Sequence, residues 1–154
     1  MLNFAFWLPP GYPILVNFTA ALVPASFLAD LLGRLFRRDS LCHAGFWMLM
    51  LAGVLTPFTV YAGWDWKNDL IAAGETIRGE MIWHQWLGFS LAPALLLVGL
   101  WRLFLHLRQP RPTFPYLGAM LLVVAALVVQ AHLGGRMTFG ADETPPPTTT
   151  APTP

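Results

Sequence analysis

The sequence predicts an all-α membrane protein, an antiparallel bundle of four transmembrane helices with both termini outside the cytoplasm. Three observations carry that reading. Charged residues make up 11% of the 154 residues and hydrophobic ones 56%, whereas soluble domains carry roughly 25% and 45–50%. Four apolar windows each reach the length of about 20 residues that a hydrocarbon core demands. Cations gather at alternate ends of those windows, as the positive-inside rule requires of a multi-pass chain. A soluble domain this short leaves much of its chain near water, so it could not hide this much apolar surface. Lipid is the sink.

The elements follow in order. Residues 1–12 carry Trp7, Pro9 and Pro10 and read as an interfacial lead-in. The opening MLNFAFWLPPGYP lacks the positive n-region of a cleaved signal, so the first window is expected to stay as a span. The spans are predicted over about 13–33, 41–63, 83–104 and 115–134. Each must be helical, because an isolated segment in lipid satisfies its backbone only internally. The connection WDWKNDLIAAGETIRGEM, residues 64–81, is predicted as the one long loop. Short links elsewhere favour up-and-down packing, so 13–140 forms one transmembrane domain. The tail ADETPPPTTTAPTP, 141–154, is nearly all Pro and Thr, cannot bury a core, and is expected to be extended.

Arg34, Arg37 and Arg38 follow the first span, and Arg102, Arg108 and Arg111 frame the loop after the third. The other side offers only Lys67, Arg78 and Arg136, which places the first group on the cytoplasmic side. Trp7, Trp64, Trp66, Trp83 and Trp86 cluster at the outer interface and Trp101 near the inner one, the headgroup levels tryptophan prefers.

Several function classes drop out. Nine Lys+Arg against eight Asp+Glu give no basic field for nucleic acid. A single cysteine, Cys42, excludes an intrachain disulfide and a Cys-based zinc cluster. Glycines are scattered through the spans rather than grouped as a phosphate loop, and no hydrolytic motif stands out, so no enzyme is predicted. A transporter is disfavoured because no charged residue lies at the midplane.

Polar side chains at membrane depth are the functional candidates. Asp30 and Arg34 share a helix face and are predicted to form a structural ion pair near the inner interface. Asn17, Asp65, His84 and His132 come from four different helices yet share one outer layer, with Gln130 close in depth. Asn17 is expected to face inward, because an amide can join helices across a bundle. His84 and His132 at matching depth are candidate axial ligands of haem b, with Glu80 four residues before His84 placed to orient its ring. The competing reading is structural: His132 precedes Gly134–Gly135, a helix end that favours an imidazole without any ligand. His43 and His106 fall near the inner boundary and read as interfacial residues.

YPILVNFTAAL, then ADLLG, GWDW closing the second helix, His84 in the third and HLGGRMTFG after the fourth resemble a bacterial four-span family, domain of unknown function 2231. That family typically opens with His-Pro-x-x-Val-His-Phe-Pro and closes with a Gly-Gly-x-hydrophobic segment. The resemblance covers most of residues 11–140. Here Tyr12 and Asn17 stand where the family carries two histidines, Pro13 is kept, and Thr19 replaces the second proline. The resemblance implies a partner of membrane redox chains. Since asparagine is a poor haem ligand, the favoured reading is an accessory subunit of a respiratory or photosynthetic complex, packed against partner helices. Residues 64–81 and 141–154 would then face an extracytoplasmic partner. The alternative is a small b-type cytochrome using His84 and His132.

Overall fold

The computed structural model describes residues 11–72, 74 and 79–139, leaving aside the side chains at 11–14, 70, 80 and 137–139. Residues 1–10 of the predicted 1–12 lead-in, most of the 73–78 link and the tail expectation for 141–154 lie outside the described residues. Among the described residues there are four helices: α1 (Gly11–Leu35), α2 (Asp39–Ala72), α3 (Gly79–His106) and α4 (Phe114–Phe139). All four are long and apolar enough to cross a membrane. Short connections force consecutive helices to run antiparallel, and α4 closes against α1 to complete a four-sided bundle. Pro24, Pro57 and Pro93 sit inside α1, α2 and α3, where each removes one backbone hydrogen bond. Such prolines are tolerated in spans because neighbouring helices and local adjustments re-satisfy the freed carbonyl.

One boundary differs from expectation. The segment 64–81 is not a long loop, because α2 continues through Trp64–Lys67 to Ala72. No glycine or proline interrupts residues 64–72, so nothing stops the helix when it leaves the apolar window. At 34 residues α2 is about 51 Å long, well beyond a hydrocarbon core of roughly 30 Å.

The core is a column of Val23, Leu49, Ala52, Leu95, Val98, Leu117, Met120 and Val123, drawn from all four helices. Large apolar side chains such as Trp47, Val54, Leu97 and Leu122 point outward, the surface a bilayer covers.

At the arginine-rich end a buried charge cluster ties the bundle together. Asp30 does not pair with Arg34, as helix spacing predicts, but with Arg102 of α3, 72 positions away. Arg102 Nε donates to Asp30 Oδ2 and Nη2 to Oδ1, both at 2.9 Å, and neither side chain is exposed at all. Nη2 also reaches the carbonyls of Cys42 (2.9 Å) and Pro110 (3.1 Å). Tyr116 of α4 adds its hydroxyl to Asp30 Oδ2 at 3.2 Å. Each helix thus contributes one group, and the planar guanidinium supplies the forked geometry a lysine could not. Arg34 instead swings outward, donating to the Pro112 carbonyl at 2.9 Å and lying 4.3 Å from the centre of the Phe114 ring. The physical reason is desolvation: an aspartate buried this deeply needs a bidentate partner, while an arginine near the helix end gains more by reaching interfacial carbonyls.

Close approach of α1 and α2 sets the position of Asp30. Ser26 Oγ donates to the Gly45 carbonyl at 2.7 Å, and a side chain at Gly45 would place its Cβ 2.8 Å from Asp30 Oδ1. Only glycine fits there. Beside the cluster, His106 stacks on Phe46 at 3.9 Å and meets His43 edge-on at 5.0 Å, which gathers the two inner histidines at one spot.

Candidate functional site

Away from the arginine cluster the helices part. Between them lies a cavity of about 670 Å³, lined by residues of all four helices and reaching from Val23 and Leu95 up to Trp64 and Lys67. Its size falls within the roughly 300–1,000 Å³ of small-molecule sites.

Most of the lining is apolar, and the polar groups along its lower wall are internally satisfied. Thr56 Oγ1 donates to the Ala52 carbonyl at 2.7 Å and Thr59 Oγ1 to Leu55 at 3.0 Å, bonds back into their own helix. With its proton committed, Thr59 can only accept from Thr19, whose oxygen lies 3.2 Å away. Those hydroxyls present little but methyl groups to an occupant.

The upper wall is different. His84 of α3 is half-buried and engages Gln130 of α4 twice. Its Nδ1 lies 3.2 Å from the Gln130 backbone carbonyl, and its Nε2 lies 3.1 Å from Gln130 Nε2. A carbonyl only accepts, so Nδ1 carries the proton; an amide nitrogen only donates, so Nε2 is bare and the imidazole is the neutral Nδ1–H tautomer. Its Nε2 lone pair then accepts from the Gln130 amide. That leaves Gln130 Oε1, buried and without a hydrogen-bond partner, beside the cavity. Space for this pairing comes from Gly134, one turn after Gln130: a Cβ there would lie 3.2 Å from His84 Cε1. At the rim Lys67 Nζ donates to Gln85 Oε1 at 2.7 Å, joining α2 to α3, and lies 5.4 Å from the Trp64 ring centre.

The predicted outer layer is therefore gathered in part. Asn17, His84 and Gln130 line the cavity. Asp65 is exposed, on a stretch of α2 that was expected to be a loop. The Glu80 side chain, expected to orient His84, lies outside the described residues. His132 is exposed on α4 and does not line the cavity. It sits two residues beyond Gln130, about 200° around the helix from the residue that meets His84.

That placement bears on the haem expectation. An axial pair must face one shared space with a free nitrogen on each ring. His132 points away from the cavity and His84 Nε2 is engaged by Gln130. The residues do not fit a haem held between His84 and His132. Gln130, which meets His84 in the structure, was noted in sequence only for its depth. The available signal was the Gln130–Gly134 spacing, one turn apart on one face, which marks where α4 lets another side chain come close.

No curated protein and no solved structure matches the chain. A family model described as "predicted membrane protein (DUF2231)" matches residues 9–142, nearly the whole length and all four spans. Four apolar helices, the motifs around Asn17 and His84, and this match agree: the chain belongs to the DUF2231 family of predicted membrane proteins.

Proposed function

We propose that the protein is a non-catalytic accessory subunit of a bacterial membrane redox complex, and that its cavity holds a membrane-soluble amphipathic molecule. The observation that carries the binding half is the cavity itself, an apolar chamber among four spans with a polar pair at one end. A ligand with an apolar body matches the walls, and a polar head matches the His84–Gln130 level. The place in a redox assembly rests on the family resemblance, and the exposed apolar helix faces are the surfaces on which partner helices would pack. The cytochrome alternative loses its support with the exposure of His132.

Gentle purification from native membrane, followed by mass spectrometry of what accompanies the chain, tests both halves. An apolar molecule that stays with the protein, and that is lost when Gly134→Leu fills the site, is the expected result. An empty protein and no co-purifying subunits would overturn the reading.

The cavity end is proposed to face the extracytoplasmic side. Although Arg102 is now accounted for as a buried residue, Arg34, Arg37, Arg38, Arg108 and Arg111 still give five cations at the opposite end against Lys67, Arg78 and Arg136. Single cysteines at 67 and 108, each in a Cys42→Ala background, should react with impermeant maleimide in intact cells at position 67 only. Labelling of both, or of 108 alone, would invert or abolish the topology.

A further inference from the structure

We infer that the head of the molecule in this cavity is a hydroxyl, donated to Gln130 Oε1; the inference rests on the proposed reading of the cavity as a binding site. The buried and half-buried polar groups of the walls decide the chemistry, since Asn17, also in the lining, is exposed. The hydroxyls of Thr19, Thr56 and Thr59 have their protons committed to protein acceptors. His84 Nδ1–H is committed to the Gln130 carbonyl, and its Nε2 lone pair to the Gln130 amide. Gln130 lines the cavity, and its Oε1 is buried and has no partner. That oxygen can only accept, so what it lacks is a donor.

Opposite a neutral imidazole, the amide cannot turn over to relieve this. Reversed, it would place Oε1 against the lone pair on His84 Nε2, two acceptors face to face. The histidine therefore fixes the glutamine with its oxygen free, and Gly134 gives the pair its room. A buried acceptor left unmet is costly, which gives the site a preference between otherwise similar molecules.

Charge narrows the donor further. Lys67 stands at the rim, bonded to Gln85, so an ammonium head would meet a like charge. A neutral donor is therefore required, and the simplest that membrane-soluble chains carry is an O–H. Two sources share that chemistry: the reduced, hydroquinone form of a membrane quinone, and the glycerol hydroxyl of a lipid. A quinone in its oxidised form offers carbonyl acceptors only and would leave Gln130 Oε1 unmet.

The test uses a matched pair of probes. Radiolabelled farnesol is bound to the detergent-purified full chain and displaced by unlabelled farnesol or by farnesyl methyl ether, which keeps the chain and the oxygen but cannot donate. Farnesol should compete about tenfold better than the ether, the order expected when a buried acceptor is met rather than left bare. Gln130→Met, which removes the acceptor at similar volume, should bring the two to equal strength. If that variant fails to fold, the ratio on the unaltered protein decides alone. Equal competition there overturns the hydroxyl assignment while leaving the cavity a binding site; no saturable farnesol binding overturns both. Stronger displacement by dodecylhydroquinone than by monooleoylglycerol supports the assignment with a quinol as source, and the reverse order supports it with a lipid.

Discussion

Replacing Arg102 with leucine should cost about 3–5 kcal/mol of stability, because it leaves Asp30 without its ion-pair partner in a site with no exposure. The loss is larger than a deleted salt bridge alone, since the carbonyls of Cys42 and Pro110 also lose their shared donor. Thermal unfolding in detergent, read by circular dichroism, measures it. Arg34→Leu is the control and should cost only about 1 kcal/mol, the scale of one hydrogen bond to the Pro112 carbonyl. The double variant Asp30→Leu/Arg102→Leu should recover most of the Arg102→Leu loss, because apolar side chains can replace a buried pair with little penalty. Comparable losses in the two single arginine variants would show that Asp30 does not depend on Arg102.

Gly45→Ala should be nearly as damaging despite adding one methyl group. Its Cβ would lie 2.8 Å from Asp30 Oδ1 and 3.0 Å from the Ser26 backbone oxygen. The carboxylate can rotate only by abandoning Arg102, and the backbone oxygen can retreat only if α1 and α2 separate. Overpacking of this kind costs about 1–3 kcal/mol before the ion pair is disturbed. Because the two changes act through Asp30, they should not add: Gly45→Ala should cost less in the Arg102→Leu background than in the native chain. Additive losses in the same unfolding assay would mean that the methyl group acts elsewhere.

Local chemistry was legible in the sequence and long-range partnership was not. Spans appear in sequence because hydropathy is a property of each segment alone, and all four windows coincide with observed helices. The end of α2 was misjudged because hydropathy marks where lipid ends, whereas a helix ends where its backbone is broken. Asp30 illustrates the second limit. Helix spacing offers Arg34 at four residues, but the partner that prevails is 72 positions away, and nothing local in WRLF distinguishes an interfacial arginine from a buried one. The site shows the same division. Depth along the spans placed Asn17, His84 and Gln130 at one level; rotation about each helix axis decided that Gln130 faces His84 while His132 faces outward. Depth follows from counting residues, but rotation is set by packing.

The cluster around Arg102 also makes the molecule a lever. Four rods pinned near one end can move apart only by tilting about that pin, so displacement grows toward the opposite end. Asn17 lies thirteen residues from Asp30 along α1, about 20 Å. A tilt of a few degrees there shifts it by roughly one to two ångströms over that same length. Sideways entry of a guest from the bilayer therefore requires no rupture of the pinned charges, and amide exchange should slow steadily from the mouth toward the pivot.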